Sequence, residues 1–126
     1  MRGIRGAITV DTNTAEDIIN STRRLLSEII NENHIQQEEI VSIIFTATED
    51  LDQEYPAVAA REMGYNNVPL LCLQEMNVTG SLSSCLRVLI HINRNCSLSD
   101  IKHVYLKEAK RLRPDLVNNV KKGRLS

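Results

Sequence analysis

The sequence predicts an α/β or α+β protein, one mixed β-sheet with a long helix and a short helix on a single face. Three observations point there. Apolar, β-branched runs of strand length recur at 2–10, 40–48 and 85–92. From residue 15 to about 33, apolar side chains fall at 15, 18, 19, 25, 26, 29 and 30, steps that trace one face of a helix. The chain has 126 residues, a length that fits a single core. We expect one domain over 1–116 and a frayed, polar and basic tail over 117–126.

Each element has its local reason. RGIRGAITV (2–10) ends in β-branched residues and opens the sheet. In the DTNT turn that follows, Thr14 caps the long helix, and Asp17 three residues on completes a capping-box pattern. IVSIIFTAT (40–48) is a buried strand, and the acidic EDLDQEY is a loop. Pro56 suits a first helical turn, AVAAREM continues that helix, and Gly64 ends it. Strands follow at about 68–76 and 85–92, then a short capped turn at 97–102 and a fifth strand over 103–112. The order β-α-β-α-β-β-β leaves one sheet face without helices, and a homo-oligomer packing sheet against sheet would cover it.

Composition narrows the function. Net charge is −1, so no global field draws nucleic acid or an anionic membrane. Trp is absent and aromatics make up 3%, which leaves no platform for base stacking. No apolar stretch approaches the ~20 residues of a membrane span, and MRGIRGAITV lacks a signal-peptide core, so a cytoplasmic location is the default. Cys72, Cys85 and Cys96, odd in number and widely spaced, suit a reducing compartment.

Two charges stand where apolar strands would not want them, Glu75 in LCLQEMN and Arg87 in CLRVLIHI. One reading is a cross-strand ion pair or a solvated sheet edge. The other is a polar pocket, in which a carboxylate and a guanidinium on adjacent strands bind a hydroxyl and an anionic or ether oxygen. Arg2, Arg5, Arg61, Arg111 and Arg113 are ordinary surface residues singly, but with Arg87 they suit a ligand rich in carboxylates. Arg5 lies in GIRGA, whose glycines let a ligand or another backbone come close. Alternation in KHVYLKEA puts His103, Tyr105 and Lys107 on one face, where the Tyr105 phenol is a half-buried strand residue or a donor to a carboxylate. His34, His91 and His103 form no metal-ligand spacing with the cysteines, and no partner supports Cys72 as a nucleophile. P-loop, GxGxxG and GxSxG motifs are absent, and no metal or cofactor is expected.

The opening RGIRGA, the block CLQEMNVTGSLSSCLRV and the late blocks HVYLKEA and KRLRPDL resemble the AroH-type chorismate mutases, the small monofunctional bacterial form, over about residues 2–116. The resemblance implies an α+β homotrimer with a pseudo-α/β-barrel arrangement and active sites in clefts between subunits. It also implies rearrangement of chorismate to prephenate, toward phenylalanine and tyrosine. Carried over by position, Arg87 contacts the ether oxygen and a carboxylate, and Glu75 and Cys72 meet the ring hydroxyl. Arg5 and Tyr105 bind carboxylates, Arg61 is a mobile arginine at the cleft mouth, Tyr55 and Leu112 form apolar walls, and Arg113 joins the substrate-binding set. Tyr55 replaces the usual phenylalanine, and Val58 stands where a lysine is often found, removing one charge from the rim.

That reaction is a unimolecular bond exchange and asks for no nucleophile, metal or proton transfer. It asks for a held chair-like conformer and a fixed charge at the breaking C–O bond. Cys72 and Glu75 are three apart, so a regular strand points them to opposite faces. Either the strand is irregular, or each cleft takes its cysteine from one chain and its glutamate from the next; the second is our expectation. Competing readings are a RidA/YjgF-like trimeric imine deaminase or small-acid binder, and a non-catalytic sensor of an aromatic-pathway metabolite.

Overall fold

The computed structural model describes residues 1–112. A five-stranded mixed sheet carries strands β1 (Arg2–Thr9), β2 (Ile40–Ala47), β3 (Leu70–Gln74), β4 (Cys85–Ile92) and β5 (Val104–Leu106), in the order β3-β2-β4-β1-β5. β4 runs antiparallel to both β1 and β2, while β1–β5 and β2–β3 are parallel. Helices α1 (Ala15–Asn33) and α2 (Ala57–Glu62) lie on one face, as the binary pattern predicts. The expected tail over 117–126 lies outside the described residues.

α1 forms where its apolar stripe predicts it. Ile18, Leu25, Leu26 and Ile29 are buried against Ile4 and Ile8 of β1 and Leu86, Val88, Ile90 and Ile92 of β4. Fully burying such a side chain stabilises the fold by about 1.5–3 kcal/mol. Thr14 caps the helix by accepting from the Asp17 N–H at 3.1 Å. The reciprocal arm of the capping box differs from expectation: the Asp17 carboxylate accepts from Thr12, not from the Thr14 backbone.

At the other end, α1 has no basic residue in its last turn, and His34 ends it in the left-handed conformation. The complementary charge comes from the segment after β4. Arg94 donates from Nη1 to the Asn33 carbonyl at 2.8 Å and from Nη2 to the His34 carbonyl at 3.0 Å, two acceptors left over at a helix end. The same guanidinium grips Glu39 in a two-point ion pair at 2.7 and 2.9 Å. That hydrogen bonding holds the Glu39 carboxyl at about 2, below its ordinary 4.5.

Gly6 permits the close approach that its neighbourhood suggests, from the Val104 carbonyl of β5, 3.2 Å from where a Cβ would stand, and from α1. A Cβ there would sit 2.6 Å from Ile29 Cδ1 and 3.2 Å from Leu25 Cδ1. The glycine therefore lets α1 lie close on β1, and both approaching groups belong to this chain.

The strand expected over 103–112 is only three residues long. At Lys107 the backbone turns to φ +57°, and 107–111 form a 3₁₀ turn. Glu108 N–H donates to Thr9 Oγ1 at 3.2 Å and Lys107 pairs with Asp11, so the chain is drawn over the end of β1 instead of along it. The alternation of His103 and Tyr105 thus does not extend to Lys107. The capped turn near 97–102 is present as a 3₁₀ turn over Leu98–Asp100, with Ser97 and Asp100 forming its capping box.

Two outcomes test this account. Gly6→Ala is expected to destabilise the protein by about 1–3 kcal/mol through overpacking under α1, measured by urea unfolding. Arg94→Ala is expected to cost about 2–3 kcal/mol at pH 7. Because the Glu39 carboxyl is depressed in the folded state, its share of that stability is complete above about pH 4.5 and fades as pH falls toward 2. The gap between parent and Arg94→Ala should therefore narrow between pH 6 and pH 3, with the helix-end contacts leaving a remainder.

Candidate active site

Strand register places side chains in rows across the sheet. On the helix-free face, one row runs Leu73, Thr46, Arg87, Ala7, Tyr105, one residue from each of the five strands. Arg87 and Tyr105 sit two strands apart, about 10 Å at ordinary strand spacing. Between them lies only the buried methyl of Ala7. The next row carries Leu71, Ile44, Leu89 and Arg5, with the Arg5 backbone N–H bonded to His103 Nδ1 at 2.9 Å.

Glu75 follows the last residue of β3. Its N–H donates to the Ala47 carbonyl at 2.8 Å, continuing the pairing with β2 by one step. Its Oε1 accepts from Thr46 Oγ1 at 2.7 Å and stands 3.5 Å from Arg87 Nε. The expectation that Glu75 and Arg87 occupy adjacent strands is therefore corrected: β2 lies between β3 and β4, and Thr46 is the residue between the two charges. The ion-pair reading holds as geometry, though loosely. Arg87 Nε is buried and has no hydrogen-bond partner among the described residues, while the side chain as a whole is 41% exposed.

Tyr105 is more buried than a half-exposed strand tyrosine. With Ala7, Cys85 and Ala109 it forms a small second cluster on this face, against which Leu82 and Leu112 pack. The 3₁₀ turn after Lys107 is what brings Ala109 and Leu112 there. Cys85 is buried within the cluster, and burial pushes its thiol up to about 11 despite the nearby Arg87 charge.

Cys72, Tyr55 and Arg61 belong elsewhere. β3 is regular through Gln74, so Cys72 pairs beside Phe45 and turns to the helix-bearing face, away from Glu75. Burial raises its thiol, with partial offset from the Ala57 backbone and the Arg61 charge, so it remains a neutral hydrogen-bonding group at pH 7. Cys72 and Tyr55 line a cleft of about 400 Å³ with Ala47, Leu51, Pro56 and Leu73. Glu49, Asp52 and Glu54 also line it. Arg61 is exposed in the last turn of α2, and Val58 is half-buried in the same helix.

The site residues thus divide into two sets. Arg5, Glu75, Arg87, Tyr105 and Leu112 lie on the helix-free face, Cys72 and Tyr55 line the cleft, and Arg61 stands in the last turn of α2. Arg113 lies outside the described residues. Thr46 and Ala7 were not singled out in the sequence, since neither belongs to a motif and only the pairing of β2, β4 and β1 reveals their place. Alternation in IVSIIFTAT, which sets Ser42, Ile44 and Thr46 on one face, was the available signal for the first. Leu71 and Leu73 on the same face are 54% and 49% exposed, an apolar surface left without cover by the described residues. No helix among those residues is long and apolar enough to cross a membrane, and no group of three or more His, Cys, Asp or Glu among them could hold a metal ion.

Comparison with known proteins identifies the family and the fold. The family model described as "Chorismate mutase type I" matches residues 1–116. The chain is similar to chorismate mutase AroH of Bacillus subtilis, 46% identical over 117 residues, 92% of each protein. It is similar also to chorismate mutase AroH of Thermus thermophilus, 50% identical over 117 residues, 92% of this chain and 96% of that one. The solved chorismate mutase from Clostridium thermocellum superposes with a TM-score of 0.86 at 48% identity, covering 88% of this chain and 99% of that structure. These matches give the RidA/YjgF-like reading no support. The chain belongs to the type I chorismate mutase family.

Proposed function

We propose that this protein isomerises chorismate to prephenate in clefts formed between the subunits of a cytoplasmic homotrimer, with residues 1–116 as the catalytic domain. The family membership supports the reaction, and one observation supports the chemistry: the buried, unpartnered Nε–H of Arg87. A polar group buried without a partner destabilises a fold by about 1–3 kcal/mol, more for a charged one. A substrate oxygen would satisfy it.

As the C–O bond of chorismate breaks, its ether oxygen gains negative charge. Arg87 meets that charge with a planar guanidinium already in place, so no reorganisation is needed as the bond gives way. Glu75 stands beside it to accept from the ring hydroxyl while the ring fragment becomes electron-poor. Arg5 and Tyr105 hold carboxylates, and Leu112 supplies an apolar wall. Binding energy from these remote contacts keeps the compact conformer that the reaction requires.

The division of site residues between two faces supports the intersubunit reading. One chain presents Cys72, Tyr55 and Arg61 beside its α2 and presents Arg87 and Glu75 on the opposite face. A neighbour seated against the exposed Leu71 and Leu73 would complete each cleft, with the cysteine from one chain and the glutamate from the next. Arg61 would lie at the mouth, where Val58 supplies no charge.

Purified protein given chorismate should consume it, followed by loss of absorbance, and yield prephenate. Binding without turnover would favour the sensor reading. Arg87→Ala should reduce kcat by roughly 10²–10³, about 3–4 kcal/mol, with oligomeric mass unchanged. Arg87→Lys should recover little, because a point charge lacks the fork. Loss of Arg5 or the Tyr105 hydroxyl should raise KM more than it lowers kcat. Activity should fall with the trimer fraction on dilution, and monomers with full activity would refute the shared cleft.

A further inference from the structure

We propose that Thr46 is a positioning residue that holds the Glu75 carboxylate off Arg87 and so keeps the Arg87 Nε–H open for substrate. This rests on the functional reading above and goes beyond it, since Thr46 touches none of the reacting atoms.

Three distances define the arrangement. Thr46 Oγ1 donates to Glu75 Oε1 at 2.7 Å, the Glu75 N–H is tied to the Ala47 carbonyl at 2.8 Å, and Oε1 stops 3.5 Å from Arg87 Nε. A guanidinium–carboxylate contact relaxes to about 2.7–2.9 Å when nothing prevents it. Here it does not close, although the acceptor is ionisable and the buried Nε–H has no other partner among the described residues. Thr46 occupies the position that can prevent closure. It is the direct register partner of Arg87 on β2, on the same sheet face, between the strand that carries the arginine and the one that leads into the glutamate. Its hydroxyl is fixed to a β-branched Cβ with few rotamers, so the bond it donates has a set direction.

A closed Glu75–Arg87 pair would be self-satisfied. Substrate would have to break it before its ether oxygen could reach Nε, and the carboxylate would be turned from the ring hydroxyl. With Thr46 taking up one lone pair of Oε1, both groups stay close and oriented, and neither is spent on the other.

The test is Thr46→Val, an isostere without the hydroxyl, with Thr46→Ala as a second truncation and Thr46→Ser as the conservative variant. Thr46→Val and Thr46→Ala should lower kcat about 10- to 100-fold, the scale of a small misplacement of reacting groups. KM and the unfolding midpoint should change little. Thr46→Ser should stay within about threefold of the parent, since it restores the donor. In a Glu75→Ala background, Thr46→Val should have no further effect on kcat, because nothing is left to hold. Crystal structures of the parent and the Val variant should show the Arg87 Nε to Glu75 distance closing to about 2.9 Å in the variant. Parent-like kcat in both truncations, or a carboxylate that has not moved, overturns the proposal. Should the parent chain itself fail to convert chorismate, the functional reading falls, and the Nε–carboxylate distance alone decides the role of Thr46.

Discussion

Arg87 holds a buried N–H that nothing among the described residues accepts, and much of the molecule is arranged around that one group. β4 carries it at the centre of the sheet. β1 offers Ala7, buried in the small cluster with Tyr105 and Cys85, and β2 offers Thr46, which engages the nearest carboxylate. None of the three could be supplied by a loop with the same accuracy. Rows across a sheet repeat at fixed spacing, and α1 packs on the opposite face so closely that a methyl at Gly6 would stand 2.6 Å from Ile29 Cδ1.

Much of this was legible in the chain. β4 begins and ends where the apolar run from Cys85 to Ile92 does, and α1 starts at its Thr14 cap and buries Ile18, Leu25, Leu26 and Ile29 of its stripe, with Ala15 left exposed. Periodicity is strong there because burial on one side is continuous. Glu75 and Arg87 stood out for the same reason, as charges breaking such runs. The C-terminal strand is shorter than expected because the alternation in KHVYLKEA continues past Leu106, whereas contacts with Thr9 and Asp11, nearly a hundred residues away, turn the backbone at Lys107. Strand order was equally hidden. Nothing local in LCLQ and CLRV reports that IIFTA inserts between them, so the pair read as neighbours proved to be separated by Thr46.

The two-faced distribution of the site carries its own physical logic. A sheet with helices on one side has a second surface that must be either polar or covered. Here it is mixed, with Arg5, Thr46 and Arg87 interspersed among Leu71, Leu73, Ile44 and Leu89. Apolar members favour contact with another surface, and the charged ones require that the contact leave a cavity around them. A shared cleft meets both demands at once. In the proposed trimer, assembly and substrate capture would draw on one surface, and Cys72 and Glu75 could then serve one reaction while facing away from each other within a chain.

The place of β1 in the sheet has a consequence for how the molecule comes into being. The first strand to leave the ribosome is flanked on one side by β4 and on the other by β5, whose residues lie some eighty to a hundred positions later. It therefore waits for most of the polypeptide before either edge is paired, and loop closure over that separation slows the final step. The row that sets Arg87, Ala7 and Tyr105 side by side does not exist on a nascent chain. The binding surface arrives last, with the completed sheet.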